Sequence, residues 1–200
     1  MRPVHVVTGA SRGIGLALCR EILHRTRDAG GIVVGAARDP AASSGLAALA
    51  AASGDRLHTV TCDVTDPTSV KSLASSVSSC TGGSRVSLLM NVAGVLHELG
   101  APEKSLAAVD AEVMARVHQI NAIGPVIVTQ ALHRMMAEGA VVANLSARVG
   151  SIGDNGLGGW WSYRRAGDPS AVLALLSAAA RTLAQDVEGR AQHGNAQHEH

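Results

Sequence analysis

The 200-residue chain has no phenylalanine, one tyrosine and two tryptophans, so aromatic rings make up only 2% of it. A core without large rings must be filled by Ala, Val, Leu and Ile, which suits alanine-rich helices laid on a valine-rich sheet. Lysine is nearly absent, with only Lys71 and Lys104. The three cysteines, Cys19, Cys62 and Cys80, form no C-x-x-C pair, which argues for three buried, reduced thiols in a cytoplasmic protein. No apolar run approaches a membrane span, and a first strand starting by Pro3 leaves no room for a signal peptide. Charge of one sign is lacking too. The formal net charge is +1 and the charges are interspersed, which excludes a basic face for nucleic acid. His193, His198 and His200 sit in a low-complexity tail with no other fixed ligands, so no metal site is expected. Partners are expected in pockets, as small molecules.

What is present is alternation. Continuous apolar runs at 3–8, 32–37, 57–62, 86–91 and 140–146 read as buried strands. Between them lie helical patterns. The first carries Ile14, Leu18, Ile22 and Leu23 on its apolar face and Arg20, Glu21, Arg25 and Arg27 on the wet side. Others are expected over 41–52, from Pro67 to Cys80 behind the cap Asp66, over 110–137, and over 171–187. Pro125 lies inside the fourth and should bend it near Ile120 and Asn121. Five strands alternating with helices argue for an α/β chain with a doubly wound, Rossmann-like parallel sheet, helices on both faces. One domain is expected over residues 1–188, with a disordered tail from Gly189.

The stretch Thr8-Gly9-Ala10-Ser11-Arg12-Gly13-Ile14-Gly15 follows the first strand and opens the first helix. Its glycines allow φ > 0 and let backbone N–H groups approach an anion at the positive end of a helix. The spacing is Gly-x-x-x-Gly-x-Gly, and a tight strand-to-helix turn without a ligand is the plain alternative. A second motif, Asn91-Val92-Ala93-Gly94, closes the fourth strand. Together these resemble the short-chain dehydrogenase/reductase family, over residues 4 to about 165. The loop Leu145 to Ile152 with Gly158-Gly159-Trp160-Trp161-Ser162-Tyr163-Arg164 is similar to the C-factor-like and sniffer-like branch of carbonyl reductases.

The resemblance implies a dinucleotide held by Gly9, Ser11, Arg12, Gly13, Ile14, Gly15, Asn91, Ala93 and Gly94, with Asp63 and Val64 at the adenine. It also implies a catalytic tyrosine at Tyr163, a catalytic-site Asn121 on a locally distorted helix, and pairing of subunits into a homo-oligomer. Alone, Asp63 reads rather as a loop cap and Asn121 as a helix kink satisfied by water. Cofactor choice has a physical argument of its own. The second strand ends in Ala36-Ala37-Arg38, and Arg12 lies in the glycine turn. Two guanidiniums flanking one pocket favour the 2′-phosphate of NADP(H), with NAD(H) as the second choice. Should Asp39 point into the pocket in place of Arg38, the preference weakens or reverses.

Three departures stand against a fully equipped active site. An unperturbed phenol titrates near ~10, so acting near neutrality requires about 4 kcal/mol of electrostatic help. The resemblance places a lysine four residues after the tyrosine to supply it, and here that position is Gly167. Gly167-Asp168-Pro169 also reads as a helix stop and restart. The usual serine position is occupied by Ala147. Ser146 is the first candidate to replace it and Ser151 the second, with hydrogen bonding to loop backbone as the alternative for both. Finally, nothing in 189–200 supplies a sixth strand or a substrate lid, so residues 165–200 read as an altered or shortened end. Two functions follow: an NADP(H)-dependent oxidoreductase acting on a carbonyl or alcohol, or a catalytically impaired relative that binds dinucleotide and pairs subunits.

Overall fold

The structure is a computed structural model and describes residues 2–97, 101–151 and 158–167. Its centre is a sheet of five strands, β1 (Val4–Thr8), β2 (Ile32–Ala37), β3 (Leu57–Thr61), β4 (Val86–Asn91) and β5 (Met136–Asn144). All neighbours pair in parallel, in the order β3-β2-β1-β4-β5. Every residue of β1 and β2 is buried, because helices cover both faces of these strands and no position can face water. Side chains alternate between the two faces, as pleating requires. Val4, Val6 and Val34 pack with Leu73, Val77, Val128 and Leu132 on one side. Val7 and Val33 pack with Cys19, Ile22, Leu23 and Leu46 on the other. The expected Val- and Leu-filled core is thus divided into two layers by the sheet.

The helices are α1 (Gly13–Arg25), α2 (Ser44–Ser53), α3 (Pro67–Thr81), α4 (Ala111–His118), α5 (Gly124–Leu132) and α6 (Trp161–Ala166). α3 begins as its residues dictate: the Asp66 carboxylate accepts from the Thr68 N–H at 2.9 Å and Pro67 follows it. In α1 the buried face runs through Gly15, Cys19, Ile22 and Leu23, which corrects the expectation for Ile14. Ile14 is 57% exposed. It lies in the first turn, ahead of the buried face that begins at Gly15.

The fourth helical pattern is three pieces. A π-helical turn, Gln119–Ile123, separates α4 from α5 just before Pro125, which has no N–H to offer the preceding turn. The helix is thus distorted where the sequence expects a bend, at Ile120 and Asn121. The helix does not reach 137, however: α5 ends at Leu132, a 3-10 turn spans His133–Met135, and β5 starts at Met136 instead of 140. Pairing with β4 overrides the helical tendency of Met136 and Ala137. Val86 pairs with Met136 and Leu88 with Val141, so the register shifts across a bulge that contains Gly139 at φ 71°. β5 also stops at Asn144, two residues earlier than expected, although the Leu145 N–H still donates to the Asn91 carbonyl at 2.9 Å.

Cys19 and Cys62 are buried and Cys80 is half-buried, and all three are free thiols. Burial pushes Cys19 up to about 12 and Cys62 up to about 11, which makes both inert as nucleophiles at neutral pH. The helix expected over 171–187, the tail from Gly189 and the end of the domain at 188 lie outside the described residues. No described helix is long and apolar enough to cross a membrane.

His5 in the middle of β1 is buried, and neither ring nitrogen has a partner among the described residues. Burial lowers its pKa, because the cation would have no water around it. In the unfolded chain the ring titrates near ~6.5, so the unfolded state takes up the proton first as pH falls. Stability should therefore decline as pH drops below about 6.5 and level off once the folded-state ring also titrates. His5→Leu is expected to remove this limb and to add about 1–2 kcal/mol above it, by eliminating unpaired buried polar atoms. Urea unfolding of both proteins from pH 8 to 5 checks it; parallel pH curves would refute it.

Candidate active site

The sheet order reverses between β1 and β4, so the chain leaves these two strands toward opposite faces and opens a crevice at their carboxyl ends. A groove of about 600 Å³ occupies that crevice. It is lined by Gly9, Ser11, Arg12, Gly13, Ile14 and Gly15 from the β1–α1 turn; Arg38 after β2; Asp63 and Val64 after β3; Asn91, Ala93 and Gly94 at β4; Asn121 in the π turn; and Tyr163 with Ser146, the first of the two candidate serines. Ser151 lies outside it.

The glycine turn is shaped by backbone contacts. A Cβ at Gly15 would stand 2.1 Å from the Gly9 carbonyl oxygen, and one at Gly9 would stand 2.8 Å from the Ala93 backbone. Gly9 and Gly13 also have φ of 69° and 54°. These glycines let the β1–α1 turn pack against the segment after β4 and let the first turn of α1 pack against Gly9, beside the groove. The Thr8 hydroxyl ties the same two strands together by accepting from the Val92 and Ala93 N–H groups at 3.1 and 3.2 Å. Ser43 caps α2 and donates to the Ser11 carbonyl at 2.5 Å, anchoring the turn from its other side. Gly15→Ala is expected to lower stability by about 3 kcal/mol through overpacking. That corresponds to a melting temperature lower by roughly 10 °C for a chain of this size. A melting curve within a degree or two of the native one would contradict the packing described.

Beyond β2 the ambiguity between Arg38 and Asp39 is settled. Arg38 lines the groove, while the Asp39 carboxylate turns back and accepts from the Ala42 N–H at 3.1 Å. Asp63 does both things its residue type allows: it lines the groove and caps its own loop, accepting from the Thr65 N–H and hydroxyl at 2.9 and 2.7 Å. Burial alone would push its carboxyl up, but the Thr65 bonds, with Arg116 and Arg38 nearby, hold it below the ordinary value. Arg116 was not foreseen. It lines the groove from α4 and donates to Thr65 at 3.2 Å. No local signal marked it, because the apolar pattern of α4 points only to its buried residues, Val113 and Val117.

Asn91 is buried, and its amide nitrogen donates to the Asn144 side chain at 2.8 Å and the Thr129 hydroxyl at 3.3 Å. Its Oδ1 is buried without a partner among the described residues. Both ends of the Asn121 amide are occupied by the Val95 backbone: Oδ1 accepts from the Val95 N–H at 2.9 Å and Nδ2 donates to the Val95 carbonyl at 2.7 Å. Asn121 thereby clamps the loop that follows Gly94, and both of its side-chain polar atoms are engaged there.

Tyr163 reaches the groove from α6, with its ring edge-on to Trp160 at 6.4 Å between centroids. The Ser146 hydroxyl donates to the Gly167 carbonyl at 3.1 Å, so it currently serves loop backbone. α6 ends at Ala166 and Gly167 caps it, as the sequence indicates. Neither Lys71 nor Lys104 lines the groove. Among the described residues no group of His, Cys, Asp and Glu could hold a metal.

Residues 3–188 match the family described as short chain dehydrogenase. The chain belongs to the short-chain dehydrogenase/reductase family. A carbonyl reductase from Pseudomonas aeruginosa PAO1, solved in complex with NADP, superposes with a TM-score of 0.73 at 30% identity, covering 88% of this chain and 74% of that one. Among curated relatives, 1-hydroxy-2-glutathionyl-2-methyl-3-butene dehydrogenase of Rhodococcus sp. (strain AD45) is 32% identical over 161 residues, 80% of this chain. The C-signal protein of Myxococcus xanthus is 37% identical over 110 residues, 54% of this chain. The chain spans 62% and 59% of the length of these two relatives. The glycine turn and the Asn-x-Ala-Gly strand end thus stand side by side here, packed against each other along one groove.

Proposed function

We propose that this chain is an NADP(H)-dependent oxidoreductase that moves hydride between the nicotinamide and a carbonyl or alcohol. The observation that carries the reading is that Arg38, and not Asp39, faces the groove beside Arg12. A carboxylate at the end of β2 would accept from ribose hydroxyls, whereas guanidiniums suit a phosphate there. The groove fits a dinucleotide on its own geometry: backbone N–H groups at positive-φ glycines, arginines near the mouth, and the unpaired Asn91 Oδ1 within. When bound, the cofactor would supply or accept the hydride.

The residues divide the work by position. Gly9 to Gly15 would hold the pyrophosphate on the α1 N-terminus, and Ile14 would cover it with apolar surface. Asp63 and Val64 would flank the adenine, and Asn121, through Val95, would fix the Ala93–Gly94 wall. Tyr163 would donate a proton to the alkoxide, with Ser146 polarising the carbonyl after leaving the Gly167 carbonyl. The carbonyl reductase with bound NADP supports this choice of cofactor and substrate class. NAD(H) would be the weaker ligand. Subunit pairing into a homo-oligomer and a cytoplasmic setting complete the proposal.

One observation favours a second reading. Gly167 stands where the family resemblance places a lysine, and no lysine lines the groove. A relative that binds dinucleotide and turns over slowly would have this arrangement. Purified chain assayed with NADPH against a panel of aldehydes, ketones and quinones separates the two. Consumption with any of them supports the oxidoreductase, and tight NADPH binding with no consumption supports the binding protein.

A further inference from the structure

Glu103 is a buried carboxylate in the connector between β4 and α4, 4% exposed and outside the groove. Its Oε1 accepts from the Ser162 hydroxyl and from the Ser162 N–H, the latter at 3.3 Å. Its main-chain carbonyl accepts from the Trp160 N–H at 2.7 Å. Burial would push this carboxyl up, but the Ser162 hydroxyl and amide hold it lower, which favours the ionised acceptor. One residue therefore grips the start of α6 through both its side chain and its backbone.

What it grips is a strained turn. Trp160 has φ 56°, the sole positive φ at a non-glycine among the described residues. A bulky residue in the left-handed region persists only where surrounding contacts over-determine it. Here those contacts are the two ends of Glu103. The chain arrives through Gly159, whose Cβ position would lie 3.1 Å from the same Glu103 carbonyl, so a larger residue would loosen the grip. Arg164 braces the far side by donating to the Gly159 and Val149 carbonyls at 2.9 and 2.8 Å. Tyr163 is the residue directly after Ser162, so the direction of its ring follows from this turn.

We propose that Glu103 is a positioning residue that aims Tyr163 into the groove by holding Trp160 and Ser162 in the turn that launches α6. The inference rests on the oxidoreductase reading, in which Tyr163 is the proton donor. Glu103 never touches substrate or cofactor; it acts through the backbone.

The test compares Glu103→Ala, Glu103→Gln and Ser162→Ala in the full chain. Three readouts are taken: NADPH affinity, kcat and KM for a reducible carbonyl, and near-ultraviolet circular dichroism. Tyr163 is the only tyrosine, so subtracting the spectrum of Tyr163→Phe isolates its band. Glu103→Ala is expected to lower kcat about a hundredfold, the effect of misplacing a reacting group by about 1 Å, with NADPH affinity unchanged and the tyrosine band collapsed. Glu103→Gln should keep both, because its amide oxygen can accept the same two hydrogen bonds. Ser162→Ala removes one donor and should fall between them. Retention of kcat and of the tyrosine band in Glu103→Ala would overturn the proposal, as would a Glu103→Gln variant as impaired as Glu103→Ala. If the native chain reduces no carbonyl, the oxidoreductase reading fails separately, and the tyrosine band still decides the role of Glu103.

Discussion

Arg38→Asp is expected to weaken NADPH binding by about 2–3 kcal/mol, roughly 30- to 150-fold in Kd, while NADH binding holds or improves. The loss has two parts. A guanidinium that donates to a phosphate is removed, and a carboxylate is placed where the phosphate's negative charge would lie. NADH lacks that phosphate, and its ribose hydroxyls can donate to the new carboxylate. Arg12 remains in the glycine turn and limits the loss. Because Arg38 is exposed, salt screens its contribution, so the native preference for NADPH should shrink as ionic strength rises. Fluorescence titration of both cofactors with both proteins, at two salt concentrations, measures all of this. Equal losses of NADPH and NADH affinity would show that Arg38 shapes the groove without reading the phosphate.

Gly167→Lys should raise kcat for carbonyl reduction at least tenfold, with little change in KM. General acid catalysis contributes about 10²–10⁴-fold where the acid's pKa is matched to its task, and a cation one helical turn along favours release of a phenolic proton. Position 167 can accept the side chain. Its φ of −92° suits an L-residue, and a Cβ there would lie 3.0 Å from the Tyr163 carbonyl, a contact relieved by a small shift of the helix end. A lysine at the C-terminus of α6 is also favoured by the helix dipole. Steady-state kinetics with saturating NADPH reads the gain. No gain, with the variant folded and binding NADPH as tightly as before, would mean that the lysine is not what limits turnover and would favour the binding-protein reading.

The sequence was most legible where one physical signal dominated. β2 and β4 run over 32–37 and 86–91 as expected, because continuous apolar runs bounded by glycine or polar residues have no competing interpretation inside a covered parallel sheet. The Asp66-Pro67 start of α3 was equally plain, since cap and proline agree. Legibility failed where tertiary contacts outweigh local tendency. Met136 continues a helical pattern but pairs with Val86 of β4 ahead of a bulge, which no local periodicity encodes. Ile14 fits the apolar spacing of α1, yet the first turn overhangs the groove.

The site divides along the same line. The glycine turn, Gly9 to Gly15, was readable because Gly9 and Gly13 take positive φ and a Cβ at Gly15 would meet the Gly9 carbonyl, and Asn91 to Gly94 was readable as a motif at a strand end. Side-chain direction was not. Whether Arg38 or Asp39 faced the groove depended on Asp39 capping the turn at Ala42, and Arg116 entered the groove from a helix whose pattern announced only its buried face. Glu103 was invisible for a further reason: its partners lie 59 positions away, so no spacing rule connects them.

The central claim is that the groove at the β1–β4 crevice is an NADP(H) site, and thermal unfolding with NADPH, with NADH and with neither tests it most directly. A ligand that binds only the folded state raises the melting temperature, and at equal concentration raises it more the tighter it binds. The structure predicts a clear rise with NADPH and a smaller one with NADH at equal concentration. No rise with either cofactor, or an equal or larger rise with NADH, would contradict it.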